Sequence, residues 1–196
     1  MPDVWLTVPT AGRVTLEAAI DSTGIPRERV VVVATTSAPV DLDSCTVLHD
    51  LGDINIHRWW NAGLDACMAR GARYVAVIND DVLMDAATIP TLLAAMLETG
   101  ATLASPGGGG LVTDPARLMV INGACWLLDT ASGLRPDEGY RWWYGDNDID
   151  FRARRDHGGV VSVQCYFEHL FPNELTATTP DLLALTHLDA QRWASR

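Results

Sequence analysis

Tyr74-Val75-Ala76-Val77-Ile78-Asn79-Asp80-Asp81 runs from an apolar stretch into two adjacent carboxylates with a single amide between. The stretch is β-branched at Val75, Val77 and Ile78 and follows the turn-like Arg70-Gly71-Ala72-Arg73, the pattern of a central parallel strand buried on both faces. In an open α/β sheet, ligands bind in the crevice beyond the carboxyl ends of such strands. Asp80 and Asp81 stand at that end, with no Lys or Arg beside them. A divalent cation taken by hard carboxylate oxygens relieves the repulsion between them. The competing reading makes one of them a cap in a strand-to-helix loop, since a helical pattern follows soon after Asp85.

Toward the amino terminus, Val4 to Val8 reads as a strand, Pro9-Thr10-Ala11-Gly12-Arg13 as a tight polar turn, and the residues through Ser22 as an amphipathic helix. Val30 to Ala34 is a second strand and Val47-Leu48 a short third. Asn55 to Ala69 carries apolar residues at Ile56, Trp59, Trp60, Leu64, Cys67 and Met68, a helical period. This succession is a nucleotide-binding α/β pattern, for which right-handed crossovers are expected. Toward the carboxyl terminus, Thr88 to Thr99 reads as a helix and Ala101 to Ser105 as a strand. Gly107, Gly108, Gly109 and Gly110 are expected to form a mobile loop, either a lid or a plain connector, because successive glycines carry a large ordering entropy. Leu118 to Ile121, Ala124 to Leu128 and Val160 to Phe167 are strand candidates. Asp148 to His157 reads as a short helix, and Pro180 to Ala194 as a closing one.

At 196 residues, 48% hydrophobic and 20% charged, the chain suits one domain with a sizeable core. A formal net charge of −11 argues against a nucleic-acid partner, because affinity for a phosphate backbone comes from Lys and Arg. No apolar stretch reaches the roughly 20 residues of a membrane span. Met1-Pro2-Asp3-Val4-Trp5 lacks a basic region ahead of a hydrophobic one, so a cytoplasmic location without a membrane partner is expected. Cys45, Cys67, Cys125 and Cys165 have no metal-binding spacing and are expected as free thiols.

Pro9-Thr10, Trp60-Asn61-Ala62-Gly63-Leu64, Asn79-Asp80-Asp81, Gly123-Ala124-Cys125-Trp126-Leu127-Leu128, Gly145-Asp146-Asn147-Asp148-Ile149-Asp150-Phe151-Arg152 and His169 occur in the order seen in inverting GT-A glycosyltransferases of the family-two type. The chain resembles that family over nearly its whole length. The resemblance implies a nucleotide-diphospho-sugar transferase fold: α/β, Rossmann-like, with a mostly parallel central sheet flanked by helices. It implies a single domain over residues 1–196, with the nucleotide in 1–81 and the acceptor in 82–196. It also implies Mn²⁺ or Mg²⁺ as cofactor, bridging the donor's two phosphates as a Lewis acid.

In that scheme Asp81 ligates the ion and Asp80 reaches the donor ribose or a metal-bound water. His169 adds an imidazole that favours Mn²⁺, with Glu168 as the alternative ligand. Asp146 is the base that takes the acceptor's proton, while Asp148 and Arg152 form an ordinary pair four apart. The plain reading of Asp146 is an N-cap. The nucleotide is expected against Pro9-Thr10-Ala11-Gly12-Arg13 and the end of the second strand, Ala34-Thr35-Thr36-Ser37, with Pro9, Thr10, Arg13 and Thr36 as the contacts and Arg13 or Arg58 neutralising the diphosphate. A uridine diphosphate sugar is the default donor, and the acceptor is a hydroxyl of unknown class. Trp142, Trp143 and Tyr144 offer faces for a sugar or else belong to the core; Trp59 and Trp60 are assigned to the core, and His49, His57, His157 and His187 to structure.

The chain departs from the family pattern in three places. Asn79 replaces an acid, Gly145 stands where Glu is usual, and Ala34-Thr35-Thr36-Ser37 replaces Asp-Asp-Gly-Ser at the end of the second strand. These departures keep open a GT-A-like domain that binds a nucleotide or glycan without turnover. A sugar nucleotidyltransferase is the other alternative, although Thr10-Ala11-Gly12-Arg13 supplies just one glycine to the Gly-rich loop such enzymes use.

Overall fold

A computed structural model describes residues 4–196; the Met1-Pro2-Asp3 start lies outside the described residues. The Val-rich segments form β1 (Val4–Thr10), β2 (Val30–Ala34), β3 (Thr46–His49) and β4 (Tyr74–Ile78), with α1 (Leu16–Ser22) after β1 and α2 (Ile56–Met68) before β4. β1 pairs in parallel with both β2 and β4, and β3 adds in parallel to β2. Alternate residues of β4 supply the two sides of the sheet. Ala76 and Ile78 join the core that holds Leu6, Ile20 and Leu92, while Val75 and Val77 join the core that holds Trp60, Leu64 and Trp126. Burial on both faces is why this strand reads as an unbroken apolar run.

α2 starts on Asn55, whose side chain accepts from the Arg58 amide at 3.1 Å. It lies so close to β1 that a Cβ on Gly63 would come within 1.8 Å of Thr7 Oγ1, so the Asn61-Ala62-Gly63-Leu64 segment requires glycine for close packing.

The second half contributes β5 (Val82–Met84), α3 (Thr88–Thr99), β6 (Leu103–Pro106), β7 (Gly110–Val112), β8 (Cys125–Asp129), α4 (Gly145–Asp156), β9 (Val160–Val163), β10 (Phe167–His169), α5 (Glu174–Thr178) and α6 (Pro180–Ala194). The main sheet runs β3-β2-β1-β4-β8-β6-β9-β7, and β5 pairs with β10 in a separate two-stranded sheet. β8 inserts antiparallel beside β4, with Ile78 opposite Cys125, so the segment entering β8 arrives at the carboxyl end of β4. No helix among the described residues is long and apolar enough to cross a membrane. All four cysteines are free.

Four expectations need correction. The glycine run is not a free loop: the amides of Gly107 and Gly109 donate to the carbonyls of Val163 and Ser162, and Gly110 opens β7. A Cβ on Gly107 would lie 2.2 Å from Ser162 Oγ, so the glycines serve close approach to β9. Leu118 to Ile121 is not a strand, because the amides of Val120 and Ile121 donate to Asp150 Oδ1 at 3.1 and 3.2 Å instead of to a neighbouring strand. Val160 to Phe167 divides between β9 and β10, which belong to different sheets. α4 begins before Asp148, at Gly145, and Asp146 sits inside its first turn, with Tyr144 at the N-cap position.

Candidate active site

β1, β4 and the approach to β8 converge at one end of the sheet. Thr10, the last residue of β1, donates from Oγ1 to Asp80 Oδ2 at 2.6 Å, and Thr15 Oγ1 donates to the Asp80 carbonyl at 2.7 Å. Arg13 Nε lies 3.7 Å from Asp80 Oδ1. Asp80 is thus fixed from both ends. Burial pushes its carboxyl above the usual carboxylate range, the Thr10 hydrogen bond opposes this, and the neighbouring Asp81 charge adds to it.

Asp81 is 4% exposed. The ladder between β5 and β10 sets His169 opposite Val82, and the Leu170 amide donates to the Asp81 carbonyl at 2.9 Å. This brings His169 Nε2 to 3.1 Å from Asp81 Oδ1. The approach lacks hydrogen-bond geometry, so Oδ1 is buried without a hydrogen-bond partner. A buried orphan carboxylate oxygen facing an imidazole nitrogen fits a divalent cation. Among the described residues no third His, Cys, Asp or Glu joins them. Such a pair leaves the remaining positions to phosphate oxygens and water, as in Mg²⁺ sites that act on phosphates.

Asp146 is carried by the first turn of α4, which the chain enters through Tyr144 at φ 64°. Its Oδ1 accepts from the Asn147 amide at 2.9 Å. Its Oδ2 lies where a Cβ on Gly123 would be 2.5 Å away, so the glycine before β8 makes room for the carboxylate. Burial raises the Asp146 pKa, against the backbone hydrogen bond from Asn147.

A cleft of about 660 Å³ unites these groups: Pro9, Thr10, Arg13, Asp80, Asp81, Asp146 and His169 all line it. Two residues expected at the donor do not. Thr36 turns away, its Oγ1 accepting from the Ala38 amide at 3.1 Å, and Thr35 lines the cleft in its place. Arg58 is held by both oxygens of Asp50, at 2.9 and 2.7 Å, and by the Asp53 carbonyl at 2.8 Å, so it braces the 50–53 loop. Glu168 is exposed and accepts from the Tyr166 hydroxyl, because alternation along β10 points it away from the side of His169.

Several lining residues carried no functional mark in the sequence. His57 Nδ1 donates to the Tyr140 carbonyl at 2.7 Å, leaving Nε2 as the unprotonated nitrogen. A Cβ on Gly145 would lie 2.0 Å from that Nε2, so the imidazole occupies the room of any side chain at this position. Burial lowers the His57 pKa to about 4, and the ring is neutral at physiological pH. Glu174 accepts from both Arg13 Nη atoms at 3.1 Å. Thr176 Oγ1 accepts from the indole nitrogens of Trp142 and Trp143, at 2.7 and 3.4 Å. The strand end at Asp80 and Asp81 marks this end of the sheet in the sequence, but no spacing marks His57 or Glu174, whose partners are distant in the chain.

The strand order and the cleft at the ends of β1 and β4 define a GT-A-like fold. The chain is similar in structure to S. aureus TarS, a glycosyltransferase: TM-score 0.65 against residues 1-349 at 12% identity, over 94% of this chain and 65% of that one. The same fragment in complex with UDP-GlcNAc matches with TM-score 0.64 at 12% identity, over 97% of this chain and 66% of that one. A longer TarS structure matches with TM-score 0.66 at 14% identity, over 97% of this chain and 39% of that one. The chain therefore spans just under two thirds of the TarS fragment. No protein-family model matches it, and no curated protein matches it in sequence.

Proposed function

We propose that this protein is a metal-dependent inverting glycosyltransferase of the family-two type, moving a sugar from a uridine diphosphate donor to an acceptor hydroxyl. One observation carries the reading: the Asp81–His169 pair, the Asp146 carboxylate and the Thr10–Asp80 contact line one cleft. The TarS fragment is recorded with UDP-GlcNAc and with UDP, which supports a nucleotide-sugar donor here.

Asp81 and His169 would hold the ion, which supplies positive charge to the departing diphosphate. Asp80, oriented by Thr10, would hold the donor ribose. Asp146 accepts the acceptor hydroxyl's proton as that oxygen attacks the anomeric carbon and the bonding pair of the sugar–phosphate bond leaves with the diphosphate. Burial that raises the pKa of Asp146 moves this base toward the operating pH, where general-base catalysis is most effective.

The test is UDP release from UDP-GlcNAc in the presence of Mn²⁺. Asp146→Asn is expected to lower it by about 100-fold or more while sparing UDP binding, and Asp81→Ala to weaken both. Undiminished release in either variant would overturn the assignment. Metal-dependent UDP binding with no release by the wild-type protein would favour the binding-domain alternative.

A further inference from the structure

Asp189, on α6, is 3% exposed and accepts from three consecutive main-chain amides. Arg141 N lies 3.0 and 3.1 Å from its two oxygens, Trp142 N 2.7 Å and Trp143 N 2.8 Å from Oδ2. Charge-assisted bonds to successive amides fix a backbone segment more firmly than neutral ones do. That segment leads straight into Tyr144 and the turn bearing Asp146.

The side chains it carries are constrained as well. Both indole N–H groups are taken by Thr176 Oγ1, and Trp142 meets Trp59 edge to face, with centroids 6.4 Å apart. With their polar atoms used internally, Trp142 and Trp143 offer the cleft only ring surface; Trp143 is 37% exposed. The same cleft is lined by Asp146, Asn147 and Asn122, which offer carboxylate and amide groups. A rigid aromatic surface beside hydrogen-bonding groups matches a ligand with one apolar face and hydroxyls around its edge. A pyranose ring has that form, whereas an alkyl chain would leave the carboxylate and amides unpaired.

We infer that Trp142 and Trp143 form a preformed pyranose subsite, with Asp189 as its positioning residue, and that the acceptor is a glycan whose hydroxyl is presented to Asp146. The sugar subsite stands on its own geometry; that its occupant is the acceptor rests on the transferase reading.

The full chain labelled with 5-fluorotryptophan tests this by ¹⁹F NMR, with methyl β-D-glucopyranoside and its 2-acetamido analogue as probes and resonances assigned through single Trp→Phe variants. The Trp142 and Trp143 signals are expected to shift and that of Trp126, buried in the core, to stay. Trp143→Ala should weaken glycoside association about tenfold, the worth of one aromatic contact. Asp189→Asn sets an amide donor against main-chain donors and should weaken it similarly while leaving UDP affinity unchanged, a split that general destabilisation would not produce. Should that variant fail to fold, Thr176→Val, which frees both indole edges, makes the same test and should weaken glycoside association several-fold.

Unshifted Trp142 and Trp143 signals, wild-type affinity in Trp143→Ala, or glycoside shifts competed away by UDP-GlcNAc would overturn the inference. Titrating UDP with Mn²⁺ into the same samples separates the two readings. UDP binding without glycoside binding sinks the subsite alone, and glycoside binding without UDP binding leaves the subsite and sinks the transferase.

Discussion

Replacing Gly123 by alanine tests where the Asp146 carboxylate sits without altering its chemistry. The added methyl would stand 2.5 Å from Oδ2, 3.2 Å from Cγ and 3.4 Å from Cβ of Asp146. Normal non-bonded contact begins near 3.5 Å, so the oxygen must retreat by about 1 Å. Rotating the carboxylate does not clear the clash, because Cγ is also too close, and the side chain must move as a unit. Gly123 is not among the glycines with positive φ, so the backbone accepts alanine. The hydrogen bond holding Asp146 is one amide contact of 2.9 Å, which yields easily, and the stability cost should be about 1 kcal/mol. Moving a catalytic group by 1 Å costs on the order of 100-fold in rate. Single-turnover UDP release from UDP-GlcNAc should therefore fall about 100-fold. UDP affinity by calorimetry should stay within about twofold, since the Thr10–Asp80 and Asp81–His169 contacts do not involve Gly123. Wild-type turnover would refute the argument. A parallel collapse of UDP affinity and melting temperature would also refute it, by showing that the methyl broke the fold and not the base.

Two predictions concern pH. His57 has a folded-state pKa of about 4 against an ordinary 6.5, so the unfolded chain takes up a proton in the window where the folded one does not. Its contribution is complete above pH 6.5 and lost as pH falls toward 4, a drop on the order of 3 kcal/mol for this buried ring. His57→Gln should flatten that acid limb in urea melts at pH 7 and 4.5, and an unchanged slope would place the titration elsewhere. Asp146 has the opposite sign: its pKa is raised by burial, so the ionised form opposes folding above the raised value and this cost disappears in acid. Asp146→Asn should melt higher than wild type at pH 7.5, with the gap closing as the pH falls; a lower melting temperature at pH 7.5 would show that the charge is stabilised there.

How much of this was legible in the sequence depends on where each residue's partner lies. β1, β2 and β4 were legible because each is a β-branched run buried on both faces, a property of the segment itself. Leu118 to Ile121 looked equally apolar, but its amides are claimed by Asp150, a partner supplied by α4. The glycine run failed for a related reason. Ordering entropy favours mobility, whereas the missing Cβ atoms let the chain lie against Ser162 and be tied down. Asp80 and Asp81 are marked by the end of an apolar strand, Asp146 and His169 by the resemblance alone, and all four line one cleft. Arg58 and Thr36 do not, since nothing in their local sequence announces Asp50 or the Ala38 turn.

The charge of the cleft explains why cation dependence is central to the proposed reaction. Among the described lining residues Asp80, Asp81, Asp146 and Glu174 face a single guanidinium, that of Arg13, which Glu174 already engages. Asp80 and Asp81 are 8% and 4% exposed, so water offsets little of their mutual repulsion. A diphosphate entering alone would add negative charge to this surface, and Arg58, fixed on Asp50, has no part in meeting it. Charge balance then has to arrive with the donor. In the proposed reaction Asp81 and His169 would hold an ion that supplies it at the end of β4, and Asp146, whose carboxyl burial pushes up and which has no cationic partner among the described residues, would stay basic enough to take the acceptor's proton.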